Sequence, residues 1–125
     1  MNNQPLTSIL IVDDSTTNLV LLEAILQEEG YQTKTAFNAK EAFTIIERNK
    51  PDLILLDLLM PQVNGFNILE KLKSDDATKA IPVIVVSAVG TKENIDTCRN
   101  LGALDFFSKP IDIPVFLSKL KVYLK

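Results

Sequence analysis

Leu53-Ile54-Leu55-Leu56-Asp57 is four consecutive aliphatic residues closed by an acid. A strand buried on both faces has this composition, because its side chains alternate between two covered faces and neither favours charge. Ser8–Val12 and Val83–Ser87 read the same way, while Thr33–Phe37 and Asp105–Ser108 are shorter or more polar, as edge or less covered strands are. Segments with helical spacing lie between them. Leu19, Leu22 and Leu26 mark the first, with Gly30 as its stop. Asn38 caps the second, with Glu41 three residues on and Ala39, Phe43 and Ile46 along one side; it ends before Pro51. The third, from about Asn64 to Ser74, turns Phe66, Leu69 and Leu72 inward. The fourth, from about Thr91 to Leu101, carries only a thin stripe of Ile95, Cys98 and Leu101. The fifth starts near Asp112 and carries Ile113, Leu117, Leu120 and Leu124, with Pro114 in its first turn, where a missing N–H costs little.

Strict alternation of this kind predicts an α/β domain of (βα)5 form, a parallel sheet with helices on both faces, because right-handed crossovers place them there. A chain of 125 residues with 46% apolar side chains fits one such domain and leaves no room for a second core. The longest apolar runs are too short to span a bilayer, and the first residues lack a secretory pattern, so the expectation is a soluble cytoplasmic protein. The formal charge of −3 offers no excess of positive charge for nucleic acid or anionic lipid. Histidine is absent, which removes serine–histidine and cysteine–histidine catalysis, histidine-based zinc sites and any role as a phosphohistidine carrier. The single Cys98 cannot form an internal disulfide and reads as a small helix-packing residue.

In open parallel sheets, ligands bind beyond the carboxyl ends of the strands. The first strand runs into Asp13-Asp14, the third ends in Asp57, the fourth in Ser87 and the fifth in Lys109-Pro110. Three carboxylates, a hydroxyl and an ammonium therefore converge on one crevice. Two carboxylates about 4 Å apart repel by roughly 4 kcal/mol at an effective dielectric near 20. Three of them either raise a pKa or take up a cation, and an oxygen-only donor set suits Mg²⁺ or Mn²⁺ better than zinc. Cation, lysine and hydroxyl together can neutralise a phosphoryl group, and a carboxylate can itself be the nucleophile. One Asp after a strand is ordinarily a helix cap or turn former, and Asp14 or Ser15 can cap the first helix. The joint pattern carries the functional reading.

These residues closely resemble the receiver domain of two-component response regulators, from about Ser8 to Leu124. The matching pieces are Ile9-Leu10-Ile11-Val12-Asp13-Asp14, Asp57-Leu58-Leu59-Met60-Pro61 with Gly65-Phe66, Val85-Val86-Ser87-Ala88, Gly102-Ala103-Leu104-Asp105-Phe106 and Lys109-Pro110. Spacings of 44, 30 and 22 residues separate Asp13, Asp57, Ser87 and Lys109 in turn. The resemblance implies a flavodoxin-like, doubly wound sheet in the order 2-1-3-4-5. One receiver domain accounts for these residues, which hold no output domain, so the expectation is either a stand-alone regulator or one module of a larger response regulator or hybrid kinase. It implies that Asp57 is the phosphoacceptor, taking a phosphoryl group from a histidine kinase or histidine phosphotransfer protein. It implies that Asp13 and Asp14 hold Mg²⁺ with Asp57 and the backbone carbonyl of Leu59, that Lys109 pairs with a phosphoryl oxygen, and that the Lys109–Pro110 peptide is cis. Ser87 and Phe106 are the implied switch: the hydroxyl bonds the phosphoryl group, the loop after the fourth strand moves in, and the aromatic ring turns. This alters the face made by helix 4, strand 5 and helix 5, where a downstream partner or output domain docks. Phe107 beside it points to the opposite face as core. Leu59 and Val89, two positions after the acceptor and the switch hydroxyl, are apolar where the family tunes water access, so the expectation is a long-lived phosphorylated state. No external product is turned over; the domain acts only on itself.

Two other readings compete. An aspartyl-nucleophile phosphohydrolase of the haloacid-dehalogenase kind uses Asp, Ser/Thr, Lys and Mg²⁺ on an α/β sheet, but places a second Asp two residues after the nucleophile on strand 1, where this chain has Ser15. A flavodoxin-like electron carrier needs a hydroxyl- and glycine-rich phosphate loop where Asp13-Asp14 puts negative charge. The four glycines are isolated and form no nucleotide loop. Lys119, Lys121 and Lys125 read as the solvated face of helix 5.

Overall fold

A computed structural model describes residues 7–60 and 63–124. Five strands, β1 (Ser8–Val12), β2 (Gln32–Ala36), β3 (Leu53–Leu56), β4 (Val83–Ser87) and β5 (Asp105–Ser108), form one parallel sheet in the order β2-β1-β3-β4-β5. Five helices, α1 (Thr16–Glu28), α2 (Ala39–Arg48), α3 (Gly65–Ser74), α4 (Lys92–Asn100) and α5 (Ile113–Tyr123), connect and cover it. This is the (βα)5 form expected from the alternation, in the flavodoxin-like strand order that the resemblance implied.

Side-chain alternation in the central strands builds two cores. Leu10, Val12, Ile54, Leu56, Val83 and Val85 face α2, α3 and α4, meeting Ala42, Ile46, Ile68, Leu69, Leu72 and Cys98. Ile9, Ile11, Leu53, Leu55, Ile84 and Val86 face α1 and α5, meeting Leu19, Leu22, Leu26, Phe116 and Leu120. The central strands β3 and β4 are buried along their whole length, and β1 from Ile9 onward, because each carries aliphatic groups to both layers. The edge strands β2 and β5 are covered less, as their polar residues require.

Details depart from the spacing in instructive ways. Strand β2 ends at Ala36 because the Phe37 N–H goes to the carboxylate of Glu41 at 2.7 Å, helping to cap α2 rather than continuing the sheet. Its neighbour Asn38 accepts from Glu41 N–H at 2.8 Å, as the cap predicted. Strand β3 stops at Leu56, yet the Asp57 N–H still bonds the Val12 carbonyl at 3.0 Å. The inner face of α2 is Ala42 and Ile46, with Ala39 and Phe43 at its margin, where the Lys71 ammonium lies 4.6 Å from the centre of the Phe43 ring. In α3, Ile68 joins Leu69 and Leu72 in the core while Phe66 is partly buried. Cys98 alone is buried on α4. The inward stripe of α5 is Phe116 and Leu120; Ile113, the first helical residue, is 40% exposed. The Phe116 ring meets Phe107 edge-on at 5.2 Å, which fixes this rotation of the helix and places Phe107 in the α1/α5 core. Lys121 is exposed and stands 3.5 Å from Glu29, and Lys125 lies outside the described residues.

A short antiparallel ribbon, Leu59–Met60 with Val63–Asn64, follows β3 and was not legible in the sequence. Pro61 lies outside the described residues, as does the side chain of Leu59. Among the described residues, no helix is long and apolar enough to cross a membrane.

Candidate phosphoacceptor site

Parallel register assembles the site. Val12 pairs with Leu56, so the next residues, Asp13 and Asp57, leave adjacent strands side by side. Ser87 pairs with Ser108, so Lys109 emerges beside the end of β4, and its N–H bonds the Ser87 carbonyl at 2.9 Å. Asp13 is 2% exposed and Asp57 6%, whereas Asp14 is open to solvent. One oxygen from each of these three acids lies within 4.8 Å of the others.

The ion pairs converge on one ammonium. Lys109 Nζ lies 3.2 Å from Asp13 Oδ2 and 3.4 Å from Asp57 Oδ2. Asp13 Oδ1 accepts the Ser15 N–H at 2.9 Å, and its Oδ2 also accepts from Asn18 Nδ2 at 3.3 Å. Ser15, not Asp14, caps α1 by accepting the Asn18 N–H at 3.3 Å. Asp14 is thereby left out of the cap, with its carboxylate available to a cation. Three acids against one lysine form a hard, oxygen-rich, net negative cluster, a donor set that fits Mg²⁺ or Mn²⁺.

Ser87 is fully buried, and its hydroxyl accepts the Val89 N–H at 3.2 Å. Phe106 packs partly buried against the α2–α4 core. Gly90, in the loop after β4, lies directly on the Ser108 side chain, and a Cβ there would come within 3.6 Å of the Phe106 ring. The loop and the aromatic ring are therefore in close company. The Lys109–Pro110 peptide is cis. Val89 is 37% exposed at the rim.

Sequence reading missed three features. Gly65 is fixed by close approach: a Cβ would stand 2.5 Å from Leu58 Cα and 2.8 Å from the Asp57 carbonyl oxygen. Asn18 reaches the site from α1, although no strand-end rule points to it. Tyr123 donates its hydroxyl to Asp105, joining the end of α5 to the start of β5. A groove of about 440 Å³ between α1 and the segment after β5, lined by Leu21, Ile25, Pro110 and Ile113 among others, opens beside Asn18 and Lys109. Cys98 is fully enclosed and burial pushes its thiol pKa up, in keeping with a packing role.

Comparison with known proteins agrees with this geometry. The family model described as "Response regulator receiver domain" matches residues 9–121. The polar-differentiation response regulator DivK of Brucella anthropi is 37% identical over 94% of this chain and 95% of its own length. The response regulator PleD of Caulobacter vibrioides is 39% identical over 90% of this chain, which spans only 25% of that longer protein. The receiver domain of a signal transduction histidine kinase from Syntrophus aciditrophicus superposes with a TM-score of 0.85 at 36% identity, covering 94% of this chain and 89% of that one. The chain belongs to the response-regulator receiver domain family. It is accordingly a phosphoacceptor module of two-component signalling, and what it catalyses is its own phosphorylation and dephosphorylation. That identity displaces both the phosphohydrolase and the electron-carrier readings.

Proposed function

We propose that Asp57 accepts a phosphoryl group from a phosphohistidine on a partner kinase or phosphotransfer protein and that the chain signals by the resulting change in packing. The observation that carries this reading is the buried Asp57 carboxylate, grouped with Asp13 and Asp14 and contacted by Lys109. A carboxylate oxygen of Asp57 attacks phosphorus, the N–P bond breaks, and the imidazole leaves with the electron pair and takes a proton. Asp13, Asp14, Asp57 and the Leu59 carbonyl are the donors for Mg²⁺, which when bound supplies charge neutralisation at the phosphoryl oxygens. Lys109 turns its ammonium to a phosphoryl oxygen. The Ser87 hydroxyl exchanges the Val89 N–H for the phosphoryl group, drawing the loop inward past Gly90, and Phe106 turns into the space released.

The readout surface is the face of α4, β5 and α5, where Leu104, Val115 and Val122 are 44%, 49% and 66% exposed. A cytoplasmic partner or output domain docks there. We read the chain as one receiver domain with its core at residues 8–124. Val89 and Leu59 bring no polar side chain to orient water, so the acyl phosphate is long-lived; Val89→Glu shortens its lifetime severalfold if this is right and leaves it unchanged if not.

Phosphoramidate, a small donor with the P–N bond of phosphohistidine, tests the reading. With Mg²⁺ the chain gains one phosphoryl group by intact mass, and neither EDTA-treated protein nor Asp57→Ala does. Turnover of a small phosphate ester, which is no donor to a receiver aspartate, would instead mark a hydrolase.

A further inference from the structure

Asn18 sits in the first turn of α1, with its backbone pinned by the Ser15 cap at 3.3 Å. Its side-chain amide meets Asp13 Oδ2 at 3.3 Å, and the partner dictates the orientation: a carboxylate only accepts, so the NH₂ end faces it. Asp13 is held at three points by three parts of the chain. Ser15 N–H takes Oδ1 at 2.9 Å, while Lys109 at 3.2 Å and Asn18 share Oδ2.

These donors are not equivalent through the proposed reaction. Lys109 is also 3.4 Å from Asp57 and turns toward the phosphoryl group once Asp57 is modified, so its grip on Asp13 falls. The Ser15 N–H fixes Oδ1 only. Asn18 is then the group that keeps Oδ2 from rotating. An amide does this without net charge, whereas a second ammonium in its place would compete with a cation for the same acid. Hydrogen bonds to ligating carboxylates orient them and set metal affinity from outside the coordination shell.

We propose that Asn18 is a positioning residue for the cation-binding acids: it holds Asp13 for Mg²⁺ without being a ligand. The inference rests on the phosphoacceptor reading above, and deepens it by making cation affinity depend on an uncharged side chain of α1.

Calorimetric titration of Mg²⁺ into the unphosphorylated protein tests it with Asn18→Leu and Asn18→Gln. Leucine is of similar size, forms helix well and faces the apolar groove beside Leu21 and Leu22, so the variant folds, as a melt in EDTA verifies. Asn18→Leu weakens Mg²⁺ binding by about tenfold, the low end for loss of such a partner. Asn18→Gln, which keeps the donor on a longer stem, binds more tightly than the leucine variant. In phosphorylation by phosphoramidate, the leucine variant needs more Mg²⁺ for half-maximal rate but reaches the same rate at saturation. Unchanged affinity in Asn18→Leu, equal loss in both variants, or a loss confined to the saturated rate overturns the proposal. If the wild-type protein itself binds no Mg²⁺, the phosphoacceptor reading fails as well, and the two failures are thereby distinguished.

Discussion

Lys109 Nζ stands 3.4 Å from Asp57 Oδ2, across 52 residues of sequence. The same ammonium reaches Asp13, so without a bound cation one positive charge serves two nearly buried carboxylates, with Asp14 close by. Such a cluster is held for function at some cost in stability. Asp57→Asn keeps the shape and removes one charge, and should stabilise the protein in EDTA by on the order of 1 kcal/mol. Mg²⁺ at about 100 times its dissociation constant should stabilise the wild type by about 2.7 kcal/mol and the variant by less. Urea unfolding with and without Mg²⁺ measures both, and Mg²⁺-independent stability of the wild type would count against the donor set.

Gly65 leaves the backbone around Asp57 no room for a side chain. Its N–H bonds the Leu58 carbonyl at 3.2 Å, and the atoms a Cβ would strike are backbone, which cannot swing aside. Gly65→Ala should therefore lose about 2 kcal/mol and slow phosphorylation by displacing Asp57. A urea midpoint and a phosphoramidate time course report the two effects; an alanine variant as stable as wild type would mean the ribbon yields freely.

The switch predicts a separation of chemistry from signal. Ser87→Ala removes a hydroxyl that is fully buried and holds the Val89 N–H. The variant should still gain a phosphoryl group, while NMR shift changes at Val89, Gly90 and Phe106 on phosphorylation shrink sharply. Wild-type shift changes in the variant would remove Ser87 from the switch.

Tyr123 offers a pH-dependent test of the α5–β5 joint. Its hydrogen bond to Asp105, then burial, then the Asp105 charge raise its pKa above the ordinary 10.0. A phenol whose folded pKa is raised contributes its stability below the unfolded value and loses it as pH climbs through the folded one. The joint is thus intact at neutral pH and weakens only above about pH 10. Tyr123→Phe should cost about 1 kcal/mol at pH 7, and the difference between variant and wild type should close in the alkaline range. A gap that persists unchanged above pH 11 would assign the effect to packing.

The layered fold was legible because three strands are aliphatic on both faces, and their period and spacing leave one topology class. The acids, the hydroxyl and the lysine were legible because parallel register puts residues that follow paired positions, Val12 with Leu56 and Ser87 with Ser108, at one edge. What stayed hidden depends on three-dimensional proximity. Phe116 displaced Ile113 from the core because a ring contact with Phe107 sets the rotation of α5, and no spacing rule contains that contact. Gly65 stands in one of the matching motifs, but the reason no side chain fits there, the Leu58 backbone packed against it, is a tertiary contact. Asn18 carries no signal of its own in the sequence, since its role comes from a carboxylate five positions earlier that turns back under the helix start.

Site mapping of the acyl phosphate tests the central claim most directly. The protein is phosphorylated with phosphoramidate and Mg²⁺, reduced with borohydride, which converts an aspartyl phosphate to homoserine, and digested for peptide mass spectrometry. Homoserine at position 57 alone is the predicted result. Homoserine at position 13 or 14, or no homoserine in any peptide although intact mass shows a phosphoryl gain, would contradict the assignment of Asp57 as acceptor.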